Sequence, residues 1–353
     1  MNSNRPLVYL TGIVSAMFLL VSPESGAQSA AGERPLFESH EILDVRIEAP
    51  MTTLMKERPE EEYLDGKFAY VDDSGQAYEF DLKLRTRGKF RRKKGTCKFA
   101  PIRLNFPTKQ LEGSDFTGQD KLKLITHCES KRSRYEQLVL REYLTYRILQ
   151  TLTDKSFGAR LMRITYVDTD GKEPLTRYGF VIEDEDDIGA RLGLEKLDSS
   201  GLNYRDLDAA HTNLITMYEY LIGNTDYSLI RGPVENDCCH NAIPYSDGRI
   251  SRSIPYDFDH AGMVNAPYAT PSPQLKIRSV RTRVYRGRCS NNEILPDTLA
   301  FILSKQADIF ALVNELEDLD KKNRQEVTRY LNAFFDDITD PKKIQRNLIR
   351  KCS

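Results

Sequence analysis

LIGNTDYSLIRGPVENDCCHNAIPYSDGRISRSIPYDFDHAG, residues 221–262, is the stretch that decides how we interpret this 353-residue chain. An apolar helix is expected to end near Gly223, and the loop that follows it carries Asp226. A strand pair with a turn at residues 246–248 is expected next, because polar turn residues separate two short apolar runs there. This order of helix, loop and hairpin makes the stretch our candidate for a functional site.

Four polar side chains of this stretch have the order of a phosphotransfer site. Asp226 comes first, Asn241 precedes the first strand, and Asp257 and Asp259 alternate on the second strand, so that both carboxylates share a face. Two such carboxylates raise each other's pKa unless a cation lies between them. Phosphotransfer needs one carboxylate near the attacking hydroxyl, then an amide and a carboxylate to hold Mg²⁺. Each of these residues also has a structural alternative. Asp226 is then the residue of an Asx turn, and Asn241 is a structural side chain. Asp257 and Asp259 then belong to a salt-bridged strand.

Further basic residues offer contacts for phosphate. Lys121 and Lys123 alternate with leucines on a predicted strand, and Glu136 or Glu142 of the following helix is placed to pair with one of them. A solvated strand face is the alternative for both lysines. Arg85, Arg87 and Gly88 form a Gly-bearing basic turn in LRTRGKFRRKK, which is expected either to lie over phosphates or to bind an acidic partner.

A second basic run, Lys276–Arg288, has two interpretations. It binds an acidic substrate, or it forms salt bridges with the acidic segment Glu183–Asp187. The net charge of −1 gives the chain no general attraction to nucleic acid, and we expect no nucleic-acid partner.

The N-terminus has the features of an export signal. Arg5 precedes an apolar run from Leu7 to Val21, and small residues stand at 25–27. We expect residues 1–27 to be a cleaved signal peptide. The alternative is a membrane anchor, although the run is shorter than the roughly 20 residues of a spanning helix. No later stretch is long and apolar enough to span a membrane, so we expect a periplasmic or secreted protein.

All six cysteines lie beyond this signal, and an even number in an exported chain predicts disulfides. Cys97 and Cys128 stand at the ends of two predicted strands, which favours a bridge between them. We expect the adjacent Cys238 and Cys239 to reach different partners, one of them Cys289. Metal–thiolate binding is the alternative, although the chain has no CxxC pair.

The two halves of the chain differ in pattern. Residues 28–40 are polar and expected to be flexible. From 41 to 190 short runs alternate in period two, with one inserted helix from about Ser133 to Leu152. From 191 to 353 the pattern is mostly helical. We therefore expect an α+β fold of two lobes, a strand-rich N-lobe and a helical C-lobe that carries the site loops.

Over roughly residues 70–265 the chain resembles the CotH-like atypical protein kinases, a family named for a spore coat protein. LKLRTRGKFRRKKGTCKFAPIRLNF looks like that family's RG-containing strand and lysine-rich strand, and DKLKLITHC looks like the next strand. RYGFVIED looks like the strand that leads to a nucleotide-hinge Glu, here Glu183. NTDYS, HN and PYDFD look like the catalytic Asp, the metal Asn and the metal Asp.

The resemblance implies a two-lobed kinase-like fold and phosphate transfer from ATP or another nucleotide with Mg²⁺ or Mn²⁺. It implies Asp226 as the catalytic carboxylate. Asn241 and Asp257 would be metal ligands, with Asp259 beside them.

The same resemblance implies the residues that bind the nucleotide. Lys123 would bind phosphate, with Lys121 on the same strand face. Glu142 or Glu136 would pair with the lysine, and Glu183 would stand at the nucleotide hinge.

The sequence thus predicts an exported kinase whose substrate is a protein or a small hydroxyl compound. Two alternatives stay open. One is an inactive, pseudokinase-like binding protein of the envelope or surface. The other is a metal-dependent phosphoester hydrolase built on Asp257 and Asp259.

Overall fold

Seven strands of the first half of the chain form a closed barrel. The computed structural model describes residues 1–2, 35–198, 202–232, 238–272 and 274–353. The barrel strands are β1 (Leu43–Ala49), β2 (Leu64–Val71), β3 (Ala77–Thr86), β4 (Ile102–Asn105), β5 (Lys121–Ile125), β6 (Ala159–Asp168) and β7 (Leu175–Ile182). Strands β1 to β5 are successive antiparallel neighbours, and β7 lies between β5 and β6.

The interior of the barrel follows from period-two alternation along the strands. On β3, Phe80, Leu82 and Leu84 are buried, whereas the residues between them are exposed. Phe68 packs edge-on against Phe116, with 4.9 Å between the ring centroids. Such an aromatic pair contributes about 1 kcal/mol beyond its burial. The alternation predicted for this half of the chain therefore corresponds to side chains that face the barrel interior and side chains that face outward.

The barrel closes where β1 and β6 pair in parallel, from Leu43 opposite Met162 to Ala49 opposite Asp168. The predicted two-lobed, kinase-like fold is therefore wrong. The described residues form a closed mixed barrel, eight helices and a separate small sheet. Alternation within a strand indicates its two faces, but it carries no information about a partner strand more than a hundred residues away.

Helices make up most of the remaining regular secondary structure in the described residues. They are α1 (Met51–Glu57), α2 (Arg134–Leu152), α3 (Glu185–Leu192), α4 (Ala209–Ile222), α5 (Leu295–Ser304), α6 (Gln306–Glu315), α7 (Lys321–Thr339) and α8 (Pro341–Asn347). Helix α2 belongs by sequence to the strand-rich half, yet its side chains pack into the core of the helical half. Its Tyr146 ring lies 5.4 Å from Phe180 of β7 and 4.8 Å from Phe258. Residues 32–353 consequently form one compact unit.

A small sheet carries part of the candidate site. Its strands are β8 (Glu195–Lys196), β9 (Ala242–Ser246) and β10 (Ser251–Pro255), in the order β10-β9-β8. Gly248 in the β9–β10 turn has a φ of 84°, a conformation that glycine adopts without steric cost. Because β9 and β10 are antiparallel, the residue before β9 and the residues after β10 lie at the same end of the hairpin.

Three disulfides join the cysteines. The bridge between Cys97 and Cys128 confirms the prediction, and it ties the loop after β3 to the end of β5. The prediction that Cys238 and Cys239 reach different partners was wrong, because they are joined to each other. Disulfides are typical of exported proteins, so the bridges of this chain are compatible with export.

The remaining bridge joins Cys289 to Cys352. The C-terminal segment folds back onto the loop before α5, where the Cys289 amide donates to the Ser353 carbonyl at 3.3 Å. This return of the chain end brings Cys352 to Cys289, across a sequence separation of 63 residues that gave no local signal for the pairing.

The N-terminal predictions fall largely outside the described residues. Of the predicted signal peptide, residues 1–27, only the first two residues are described. The segment predicted to be flexible, residues 28–40, is described from Pro35 onward, where Pro35–Phe37 form a 3-10 turn and Leu36 is buried. Among the described residues, none of the helices has the length and apolar character to cross a membrane.

Candidate functional site

The loop that carries Asp226 begins where α4 ends. Gly223 ends the helix in the left-handed conformation, with a φ of 68°. A Cβ at this position would lie 1.9 Å from the Tyr330 hydroxyl, so both the backbone and the packing require glycine. The Asn224 side chain accepts a hydrogen bond from the Asp226 amide at 2.9 Å. A turn around Asn224 therefore fixes the backbone of Asp226 and leaves its carboxylate to other partners.

The Asp226 carboxylate is held by three side chains. His240 Nε2 lies 2.8 Å from Oδ1, and Asn241 Nδ2 donates to Oδ2 at 3.3 Å and to the Asp226 carbonyl at 2.7 Å. His260 Nδ1 lies 3.8 Å from Oδ2. Burial acts to raise the pKa of Asp226, but the hydrogen bond with His240 and the nearby His260 hold it below its usual range. Asp226 is therefore an ionised, oriented carboxylate at neutral pH.

Asn241 and Asp257 meet at the end of the β9–β10 hairpin. The Tyr256 amide donates to the Asn241 carbonyl at 3.0 Å, which continues the strand pairing by one residue. Both residues have positive φ angles, 52° for Asn241 and 63° for Asp257, although neither is glycine. Such conformations cost roughly 1–3 kcal/mol and cluster at functional sites.

Asp257 and Asp259 do not alternate on a strand as the sequence predicted, because β10 ends at Pro255. They still lie close together. Burial raises the pKa of Asp259 to about 6, and the charge of Asp257 adds to the rise. Phe258 between them is fully buried, as expected, and it anchors the turn in the core.

Arg91 lies among buried carboxylates at this end of the hairpin. Its Nη1 is 3.7 Å from Glu142 Oε2 and 3.9 Å from Asp259 Oδ2. Burial and the neighbouring Asp259 raise the pKa of Glu142 well above its usual range. The other Glu142 oxygen, Oε1, is buried without a hydrogen-bond partner. With Asp257, three carboxylates here face the guanidinium groups of Arg91 and Arg87.

The two lysines predicted to bind phosphate differ in environment. Lys121 is exposed and pairs with its neighbour Asp120 at 3.1 Å. Lys123 is buried, forms an ion pair with Glu185, and has its Nζ 5.0 Å from the centroid of the Tyr256 ring. Its side chain therefore lies beside the residue that precedes Asp257, but Glu185, and not a helix α2 glutamate, neutralises its charge.

The three glutamates predicted to support the nucleotide site lie apart from one another. Glu136 pairs with Arg177 at 3.2 Å, and Glu142 pairs with Arg91. Glu183 is buried and pairs with Arg191 at 2.8 Å. Of the three, only Glu142 contributes to the carboxylate cluster around Asp257.

The ligands for a cation are limited in number. In the part of the chain that the structure describes, no group of three or more His, Cys, Asp and Glu side chains is placed to hold a metal ion. Magnesium generally takes only one or two carboxylates from a protein when phosphate oxygens complete its shell. Asn241 and Asp257 offer one amide oxygen and one carboxylate. A donor set of this kind is compatible with Mg²⁺ only where phosphate oxygens supply further ligands.

The basic run Lys276–Arg288 does not reach the acidic segment Glu183–Asp187 in the contacts that the structure shows. Instead, Arg283 donates to the Tyr330 carbonyl at 2.6 Å. Arg286 Nη1 donates to the carbonyls on both sides of Asp226, those of Thr225 at 3.1 Å and Tyr227 at 2.6 Å. Sequence reasoning missed this clamp, since Arg286 and Thr225 are 61 residues apart and no local pattern links them.

Comparison with protein-family models and with curated proteins gives no match for this chain. The resemblance to the CotH-like kinases therefore stays a prediction, and the function is argued from the geometry of the site.

Glu219, one turn before the Asp226 loop, gives a prediction about stability. Burial raises the pKa of Glu219 from 4.5 to about 8, although Asn224 and Arg286 act against the rise. The folded state keeps this proton between those two pH values and the unfolded state loses it, so stability falls as pH rises through that window. We expect Glu219→Gln to be more stable than wild type by about 3 kcal/mol at pH 7.

Urea unfolding at pH 4.5 and pH 7 tests this expectation, since the difference should nearly vanish at the lower pH. Glu293→Gln, at an exposed position, is the matched control and should show no difference at either pH. Equal stability of wild type and Glu219→Gln at pH 7 would show that Glu219 is not protonated in the folded protein.

Proposed function

We propose that this protein is an exported phosphotransferase, which moves a phosphoryl group from a nucleotide to a hydroxyl acceptor with Mg²⁺ or Mn²⁺. The single observation that carries the proposal is the contact between Asn241 and Asp226 at the end of the hairpin that also carries Asp257. Asn241 donates to Asp226, the Tyr256 amide donates to the Asn241 carbonyl, and both Asn241 and Asp257 have positive φ. A carboxylate, an amide and a second carboxylate are the side chains that phosphoryl transfer uses.

Asp226 accepts the hydrogen bond of the acceptor hydroxyl in this proposal. His240 and Asn241 fix its orientation, and its lowered pKa keeps it ionised as a hydrogen-bond acceptor. Orienting the hydroxyl toward the phosphorus supplies most of what a side chain contributes to a loose transition state. The Asp226 carboxylate then takes up the proton as the new phosphate ester forms.

Asn241 and Asp257 would hold the metal ion, which neutralises phosphate charge when the nucleotide is bound. Asp257 is half-buried, and with its carboxylate the cluster has three carboxyl groups against two guanidinium groups. A cation bound here would offset the repulsion between these carboxyl groups, which contributes to the raised pKa of Glu142 and of Asp259. The amide oxygen of Asn241 supplies a second, neutral ligand.

Arg87 is the second basic side chain that we propose for phosphate contact. It interacts electrostatically with Asp257 and lies near Lys123. Lys123 itself is engaged by Glu185, so its charge is already compensated. The turn LRTRGKFRRKK therefore contributes to the site through Arg87, with Gly88 in a positive-φ conformation directly after it.

Nucleotide binding and phosphate transfer test the proposal together. The purified, oxidised protein is incubated with labelled ATP or GTP and with Mg²⁺ or Mn²⁺, and its thermal unfolding is followed under the same conditions. A ligand at 100 times its dissociation constant stabilises the folded state by about 2.7 kcal/mol. We expect stabilisation that needs both metal and nucleotide, and labelled product.

Asp257→Asn should lose the metal-dependent part of this stabilisation, whereas Asp73→Asn, in the exposed β2–β3 turn, should keep it. If neither nucleotide stabilises the protein or transfers phosphate with either metal, the phosphotransferase assignment is refuted. A partner-binding protein would then be the better account. Hydrolysis of simple phosphoesters without nucleotide would instead point to a hydrolase.

A further inference from the structure

A cleft of about 790 Å³ opens beside the Asp226 loop. The first turn of α4, the segment before it and the loop after Tyr227 form its walls, together with the end of the basic run. Its volume lies within the range of small-molecule pockets, roughly 300–1,000 Å³. The cleft is distinct from the carboxylate cluster around Arg91, none of whose members lines it.

Four arginines line this cleft: Arg205, Arg231, Arg286 and Arg288. No aspartate or glutamate lines it among the residues that the structure describes. The chain as a whole has a net charge of −1, so this positive charge is a local feature. Four guanidinium groups with no facing carboxylate in the described wall create a strongly positive potential, which favours an anionic ligand.

Two of these arginines are already held in position. Arg286 donates to the Thr225 and Tyr227 carbonyls, and its guanidinium lies 4.7 Å from the centroid of the Tyr227 ring. Arg288 lies 4.4 Å from the centroid of the Tyr204 ring. A guanidinium fixed by an aromatic face and by carbonyls loses little freedom on binding, and its fork geometry matches a carboxylate.

The cleft adjoins the catalytic loop of the proposed function. Arg286 bonds the residues on both sides of Asp226, and Ser228 lines the cleft while its backbone pairs with His240. His240 in turn contacts the Asp226 carboxylate. A molecule in the cleft therefore lies next to the position at which the acceptor hydroxyl is expected.

We propose that this cleft binds acidic residues of a peptide acceptor, beside the Ser or Thr hydroxyl that receives the phosphoryl group. The role of the peptide as phosphoryl acceptor rests on the proposed function, but binding of an acidic peptide can be measured without phosphate transfer. Clusters of arginines are a recurring way to recognise acidic and phosphorylated peptides. Ser228 and Asn291 add polar side chains along the same wall.

Fluorescence anisotropy of short labelled peptides, without nucleotide, is the test. Three peptides share one central Ser and differ only in flanking residues, which are Glu, Gln or Lys. We expect the Glu peptide to bind most tightly and to weaken as salt rises. Arg205→Gln with Arg231→Gln, both at exposed positions, should weaken its binding roughly tenfold. Arg249→Gln, an exposed arginine outside the cleft, is the matched control.

Equal binding of the Glu and Gln peptides, or an unchanged affinity in the double variant, would overturn the inference. Tighter binding of a polyuronate of equal charge would overturn the assignment to a peptide. The outcome is separable from the proposed function. Phosphate transfer without preference for acidic peptides refutes only the cleft assignment, and acidic-peptide binding without any response to nucleotide refutes only the phosphotransferase.

Discussion

Asp226→Asn is expected to lower the rate of phosphate transfer by about 10²–10⁴-fold, the range for losing a positioned general base. The substitution keeps the shape of the side chain, so the contacts with His240 and Asn241 can still form in part. The substitution removes the carboxylate that takes up the proton. Because an Asn at position 226 can still bond Asn241 in part and leaves Asp257 unchanged, the loss should appear mainly in kcat at saturating nucleotide.

Two measurements make this expectation specific. The nucleotide affinity of Asp226→Asn, obtained from nucleotide-induced stabilisation, should stay within a few-fold of that of wild type. The far-ultraviolet circular dichroism of the variant should be unchanged. Asp73→Asn, the same chemical change in an exposed turn, should transfer phosphate at the wild-type rate. A kcat for Asp226→Asn within threefold of wild type would show that another group receives the proton.

Much of the local structure was predictable from the sequence. The alternation in β3 and the apolar positions of α2 predicted strands and a helix, because local burial patterns determine these elements. The order of Asp226, Asn241 and Asp257 predicted a shared site, and the structure brings Asn241 to Asp226 and to the residue before Asp257. The role proposed for them stays untested by this geometry.

Long-range contacts were not predictable in the same way. The parallel pairing of β1 with β6 closes the barrel and removes the open sheet that a two-lobed fold needs. The clamp of Arg286 on the Asp226 loop joins segments with no common pattern. Both contacts depend on how distant segments pack in the folded protein, and no local sequence pattern predicts that packing.

Arg91→Met is expected to destabilise the protein by about 3–5 kcal/mol, the cost of removing one partner of a buried ion pair. The methionine fills much of the same space, but Glu142 and Asp259 lose the guanidinium that faces them. The substitution also removes a hydrogen bond from Arg91 Nη2 to the Thr126 carbonyl, at 2.5 Å. Urea unfolding at neutral pH measures the effect, and it requires no assumption about function.

The next residue supplies a matched control. Arg92 pairs with Glu60 near the surface, where such an ion pair contributes about 1 kcal/mol or less, so Arg92→Met should cost little. If uncompensated charge causes the loss in Arg91→Met, then adding Asp259→Asn should restore part of the stability, because it removes the carboxylate that is ionised at neutral pH. A double variant no more stable than Arg91→Met would mean that lost packing, and not buried charge, explains the effect. The sign of the coupling energy between the two substitutions therefore decides whether Arg91 is a counter-ion of these carboxylates.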